Sequence, residues 1–264
     1  MMTDERPLLH VVAGIVYNRA GEFLLTSRPP GKAYAGYWEF AGGKVEAGES
    51  GLAALQREFE EELGIRITRA TPWLCKIHSY EHARVHLRFF RVPADGWQGE
   101  LQAREGQQWA WQRAGAYTVS PMLPANSTLL KALSVPDTLF GNLSRGFDDG
   151  AGYRVVPYAR HETGHRHVLL TRQDLDRIGR LPAADSIWMA VRSSAEWLQA
   201  QDADVVVWQV NGSQAAAELT RILTAGVAMP VVVLADPATA HSQRAHWLAL
   251  GAHAVVADDE QAVC

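Results

Sequence analysis

The sequence predicts an α+β domain, with a mixed sheet between helices, followed by a smaller α/β domain of β/α units. Three observations predict it. Short apolar runs separated by turn residues surround one well-spaced helix in the first 134 residues; periodicity is lost from Val135 to Gly152; and beyond that point strand and helix patterns alternate. The expected boundaries are therefore a first domain over 1–134, a linker over 135–152 and a second domain over 153–264.

In the first domain, Val11–Val16 and Glu22–Ser27 flank Asn18-Arg19-Ala20-Gly21, which has the turn chemistry of a hairpin and predicts two antiparallel strands. Trp38-Glu39-Phe40 reads as a short strand broken by Gly42-Gly43. From Leu52 to Leu63 the apolar residues Leu52, Leu55, Phe59 and Leu63 keep helical spacing. Alternating segments at Trp73–Ile77, Val85–Val92 and Trp109–Trp111 predict further strands, and Ser127–Leu133 a second helix.

Val135–Gly152 is rich in Gly, Pro and Asp, as suits a linker. Beyond it, strands are predicted at Val168–Leu170, Ile187–Val191, Val205–Val210, Val231–Leu234 and Ala254–Val256. Helices are predicted at Ser194–Gln201, Ser213–Ala225 and Ser242–Leu250, a rhythm that requires a parallel sheet.

A net charge of -4 gives no basic excess for gripping phosphates along a duplex, so the expected partner is a small molecule and not a nucleic-acid polymer. Cys75 and Cys264 cannot form a disulfide framework, which fits a reducing, cytoplasmic setting. The acidic start of the chain does not read as a signal peptide, and no apolar stretch approaches the roughly 20 residues that span a bilayer; no membrane association is expected.

Chemistry concentrates between Gly43 and Ile65. Gly43 is followed after five residues by Glu49, and after seven more by Arg57-Glu58-Phe59-Glu60-Glu61-Glu62-Leu63-Gly64-Ile65. Glu58, Glu61 and Glu62 stand at i, i+3 and i+4, so three carboxylates crowd one helix face. A hard divalent cation offsets that repulsion, and Mg²⁺ favours carboxylate, water and phosphate oxygens. Arg57 is spaced to hold the carboxylate of Glu49 and so fix the loop over the ligands.

This pattern is identified as the box of the Nudix hydrolase family. Its seven fixed identities coincide by chance about once in 10^8 positions. Residues from Leu8 to about Leu133 resemble the MutT branch, the 8-oxo-dGTP diphosphatases, with WEFAGGKVEAGES resembling the loop. The resemblance implies water attack on a diphosphate phosphorus, releasing a nucleoside monophosphate and pyrophosphate, with Mg²⁺ or Mn²⁺. It implies Glu61 and Glu62 as first-choice metal ligands, Glu58 as a ligand or water-orienting base, Glu105 as an added ligand or base, and the carbonyl of Gly42 as a ligand; Arg57 and Glu49 support them. Asn126 falls where the branch reads the purine edge, Arg28 and Arg84 where it contacts nucleotide, and Phe40 where it lines the base pocket. Asn126 as a mere helix cap, and the arginines as surface charges, are the alternatives. Ala41 departs from the proline expected before the double glycine. Another nucleoside triphosphate or a dinucleotide as substrate, or a non-catalytic nucleotide-binding role, are the alternative functions.

In the second half, Arg166–Leu170, Gln173-Asp174-Leu175, Trp188–Glu196, and Ala203-Asp204-Val205 with Leu250-Gly251-Ala252 resemble the later part of thiamine-phosphate synthase. At about 110 residues the region is too short for a full barrel of about 200 or more, so it is expected to be a partial, TIM-barrel-like fragment. Ala235-Asp236 stands where the synthase has a phosphate-cradling double glycine, and Arg192 where it has histidine. A receiver-like domain is the other analogy, with Gln209 in place of the phosphoacceptor aspartate. Both imply a domain for self-association, protein contacts or stabilisation.

Overall fold

The computed structural model describes residues 6–79, 84–162 and 164–258. The chain divides between Ser134 and Val135 into two compact units, and each has an apolar core of its own.

The first unit holds β1 (Leu8–Val16), β2 (Phe23–Ser27), β3 (Trp38–Glu39), β4 (Gly42–Lys44), α1 (Gly51–Leu63), β5 (Arg66–Ile67), β6 (Thr71–Ser79), β7 (Arg84–Val92), β8 (Trp97–Gln98), β9 (Trp109–Gln112) and α2 (Ser127–Ala132). The main sheet has the order β4-β1-β7-β6, with β1 and β7 parallel and the outer pairs antiparallel. A second sheet has the order β3-β2-β9, and β5 pairs with β8.

The expected hairpin of β1 and β2 is corrected. Its turn forms, since Asn18 Oδ1 accepts from the backbone N–H of Ala20 at 2.9 Å and of Glu22 at 3.0 Å. The strands then part into different sheets, with a bridge between Tyr17 and Phe23 beside the turn. Both edges of β1 are occupied, by β7 along all nine residues and by β4 from Val11 to Ala13, while β2 is flanked by β3 and β9.

Helix α1 is locally specified at both ends. Ser50 caps it by accepting from Ala53 N, and Gly64 ends it in the left-handed conformation at φ 67°. Its inner stripe of Ala54, Leu55, Phe59 and Leu63 is buried, each large side chain contributing about 1.5–3 kcal/mol relative to exposure. Gly14 on β1 permits this packing, because a β-carbon there would stand 2.7 Å from Phe59 Cζ.

The second unit holds β10 (Phe140–Asn142), β11 (Gly146–Asp148), β12 (Arg154–Pro157), β13 (His167–Leu170), α3 (Arg172–Ile178), β14 (Ser186–Val191), α4 (Ser194–Gln199), β15 (Val205–Val210), α5 (Ser213–Ala225), β16 (Val231–Ala235), α6 (Pro237–Ala249) and β17 (Ala254–Ala257). These eight strands form one sheet in chain order, parallel from β12 to β17. The sheet curls until β10 lies against β17, giving a near-closed, barrel-like sheet. Its inward residues, among them Phe147, Leu169, Trp188, Val207 and Val256, make one core cluster.

Two expectations change here. The stretch read as a linker carries β10 and β11, which pair antiparallel with each other and with β12. Its glycines serve close strand approach: a β-carbon at Gly141 or Gly146 would stand 2.0 Å from a carbonyl oxygen of the next strand. A TIM-barrel-like sheet needs parallel strands throughout, and the antiparallel β10 and β11 depart from that pattern. Helix α3, unforeseen, opens with a capping box between Thr171 and Asp174. Helix α6 starts earlier than expected because Asp236 caps it ahead of Pro237. No helix among the described residues is long and apolar enough to cross a membrane.

Candidate functional site

The loop from β4 into α1 is fastened by one side chain. Arg57 Nε and Nη2 donate to the two carboxylate oxygens of Glu49, both at 3.1 Å, and Nη2 also donates to Lys44 O at 2.9 Å. Its Nη1 donates to Glu58 Oε1 at 2.9 Å and Glu61 Oε2 at 3.2 Å. A planar guanidinium is suited to this fork, and one cation thereby binds the loop and offsets three carboxylates. The bond from Arg57 holds the Glu49 carboxyl below its ordinary pKa.

Glu58 lies against Gly43, where a β-carbon would stand 2.1 Å from the carboxylate carbon of Glu58. Only glycine leaves that space. Glu62 is 17% exposed; burial first, and then the charge of Glu105, push its pKa up to about 7, with Glu58 and Glu39 adding and Lys32 opposing.

Glu62 faces a recess of about 20 Å³ that Glu39, Gly42, Lys32, Glu105 and Gln107 also line, room for one water-sized particle. Lys32 Nζ stands 2.6 Å from Glu105 Oε2 and 4.0 Å from Glu62 Oε1. Buried Gln107 donates to Glu62 O at 2.8 Å and accepts from Glu105 N at 2.9 Å, tying the loop that bears Glu105 to the end of α1.

Glu39, Gly42, Lys32 and Glu62 also line a larger cavity of about 410 Å³. Its walls are Leu9, Val11 and Ala13 from β1 and Val85, Leu87 and Phe89 from β7, with Phe40 beside Phe89. Arg28 lines it as well, its Nη1 donating to both oxygens of Glu39 at 2.8 and 2.7 Å. Burial raises the Glu39 carboxyl, and Arg28 opposes that shift.

Asn126 lines the same cavity and is 5% exposed. Its position at the start of α2 makes no side-chain cap, and its Nδ2 has no hydrogen-bond partner among the described residues. A buried amide left without a partner costs about 1–3 kcal/mol. The segment before it is held to β3 by bonds from Trp38 N to Pro121 O and from Leu123 N to Trp38 O.

Sequence expectations and geometry diverge at two residues. Arg84 does not line the cavity: Val85, Leu87 and Phe89 do, so strand alternation places Arg84 with His86 and Arg88 on the other face of β7. Glu61 is 59% exposed and lines neither recess, its carboxylate lying beside Arg57. Lys32, Glu39 and Gln107 were not anticipated. A charged residue inside Trp38-Glu39-Phe40, next to the double glycine, was the available signal for Glu39; Lys32, in an exposed loop, gave none.

Among the described residues, no three His, Cys, Asp or Glu side chains already converge as metal ligands. The chemistry of the recess nonetheless fits a small, hard cation. It is one particle wide and walled by carboxylates and the Gly42 backbone, and burial together with the neighbouring carboxylates disfavours the charge of Glu62 that a cation would offset.

Residues 7–133 match the family described as NUDIX domain. The chain is 37% identical over 129 residues to the 8-oxo-dGTP diphosphatase of Haemophilus influenzae, covering 49% of this chain and 93% of that protein. It is 40% identical over 125 residues to the CTP pyrophosphohydrolase of Escherichia coli, covering 47% and 90%. It is 30% identical over 125 residues to the 8-oxo-dGTP diphosphatase of Escherichia coli, covering 47% and 95%.

Proposed function

We propose, from the premise that this chain belongs to the NUDIX domain family, that it hydrolyses 8-oxo-dGTP to 8-oxo-dGMP and pyrophosphate, clearing the oxidised nucleotide before replication can use it. The observation that carries the base assignment is Asn126, a buried amide in the cavity wall whose donor has no partner. An amide offers an acceptor and two donors, the equipment for reading O6 and N7–H of an oxidised guanine together. Two of the relatives carry the same activity in their names.

The chain's own groups prepare the reaction. The apolar walls from β1 and β7 exclude water from the nucleoside, and Phe40 gives its ring a flat apolar surface. Arg57 keeps the loop of Gly42 and Gly43 fixed against α1, so the phosphate end of the cavity is preorganised. Glu62 and Glu105, with the Gly42 carbonyl and with Glu58 behind Gly43, are the groups that would hold Mg²⁺ or Mn²⁺. When bound, that ion supplies polarisation of the phosphoryl oxygens, activation of water and neutralisation of the leaving pyrophosphate.

A pyrimidine triphosphate is the second reading, favoured by the 40% identity to a CTP pyrophosphohydrolase. Pyrophosphate release over a panel of 8-oxo-dGTP, dGTP, CTP, dCTP and a dinucleotide separates the readings. A kcat/KM for 8-oxo-dGTP at least tenfold above the others supports the first, and preference for CTP or equal rates on dGTP overturns it.

For the second unit we propose a stabilising or protein-contact role, and not synthase chemistry. Asp236, at the end of β16 where a phosphate cradle would stand, is engaged in capping α6 through Ala238 N and Thr239 N at 3.1 and 3.0 Å.

A further inference from the structure

Lys32 lies in the segment between β2 and β3, where residues 30–36 are all exposed. Both ends of that segment are secured: Arg28 bonds to Glu39 and to Ala33 O, Arg28 N donates to Tyr37 O, and Gly36 N donates to Arg28 O. Between them the chain reaches over the recess and delivers one ammonium between two carboxylates from separate elements. Glu105 is 2.6 Å away and Glu62, at the end of α1, is 4.0 Å away. Lys32 is also the residue of this segment that lines both the small recess and the large cavity along with Glu39.

We propose that Lys32 is a built-in counter-ion, holding Glu62 and Glu105 in place until a divalent cation displaces it, after which its ammonium turns to the polyphosphate of the substrate. This rests on the reading of the recess as a metal site, and makes Lys32 a positioning residue for it. The Lys32 side chain is part of the wall of the 20 Å³ recess, so a divalent ion entering it would meet a like charge at close range, which repels. An ammonium on a flexible four-carbon stem can pivot from carboxylate to phosphate oxygen without the loop being rebuilt. Cation entry and substrate capture are thereby coupled through one side chain, each binding more tightly in the presence of the other.

The test is a Mn²⁺ titration of the full chain followed by electron paramagnetic resonance, without nucleotide. Lys32→Met is expected to tighten Mn²⁺ binding about fivefold or more relative to the unaltered protein, and Lys32→Arg to return it toward the original value. With nucleotide present, Lys32→Met is expected to raise KM several-fold more than it lowers kcat. Lys44→Met removes a second cation from the cavity wall that has no ion pair with Glu62 or Glu105. Unchanged or weaker Mn²⁺ binding in Lys32→Met overturns the proposal while leaving the metal reading intact, and so does equal tightening in Lys44→Met. If neither the unaltered protein nor Lys32→Met binds Mn²⁺, the metal reading fails and the proposal with it.

Discussion

Arg57 grips Glu49 with two parallel hydrogen bonds of 3.1 Å, a fork that joins the fourth strand's loop to the following helix eight residues away. Lysine cannot reproduce it, because an ammonium is a point donor. Arg57→Lys is expected to lower kcat/KM about 10–100-fold, the usual cost of removing a group that orients ligands, while the far-ultraviolet circular dichroism spectrum stays unchanged. Steady-state kinetics that match the unaltered protein would remove Arg57 from the loop-fixing role.

Asn126 is predicted to trade stability for selectivity. Asn126→Leu replaces a buried amide whose Nδ2 has no partner among the described residues with an apolar group of similar size, and thermal unfolding should show a gain of about 1–3 kcal/mol. The same change should cut kcat/KM for 8-oxo-dGTP by about 10²-fold or more and bring its ratio to dGTP close to one. A variant that keeps its preference for the oxidised base would show that another group reads the purine.

Glu62 gives a prediction in pH. Its folded-state pKa is raised to about 7 from an ordinary value of 4.5, so between those values the native state binds more protons than the unfolded one, and stability falls as pH rises. The full penalty is present above about pH 7 and absent below about pH 4. In chelator, Glu62→Gln should therefore be more stable than the unaltered protein at pH 8, on the order of 2 kcal/mol, and equal to it at pH 4. Melting curves that differ by the same amount at both values would refute the assignment. The same variant should have no measurable turnover.

The two glycines before α1 should fail differently. At Gly43 a β-carbon meets the flexible end of Glu58, so Gly43→Ala should fold with a loss under about 1 kcal/mol and yet lose most activity as the Glu58 carboxylate is displaced. At Gly42 it would stand 2.0 Å from the backbone oxygen of Val12 on β1, and Gly42→Ala should be destabilised by several kcal/mol, on the scale of severe overpacking. Chemical denaturation alongside activity measurements distinguishes the two.

How much of this could be read from the chain itself depends on the range of the interaction involved. Helix α1 was legible because the stripe of Leu55, Phe59 and Leu63 repeats at helical spacing within the helix itself. The spacing of Arg57 from Glu49 was legible for the same reason. The separation of β1 from β2 was not, since β7 and β4, distant in sequence, compete for the edges of β1 and win. Alternation says which residues of β7 share a face, and not which face meets the cavity, so the chain alone does not tell that Val85, Leu87 and Phe89 line it while Arg84 does not. Gly141 and Gly146 look like linker residues until the neighbouring carbonyls that forbid a side chain are seen. Lys32 left no trace in local pattern at all; only the fold brings it to Glu105, far along the chain.

The parallel pairing of β1 with β7 carries a consequence for synthesis. Leu8 to Val16 can take up its central place in the sheet only once the segment beginning at Arg84 exists to receive it. At translation rates of about 5–20 residues per second, an apolar strand therefore waits on the order of ten seconds at the ribosome for its partner. During that interval the backbone edges that β7 will occupy stay unpaired, the condition in which a strand is open to wrong pairing.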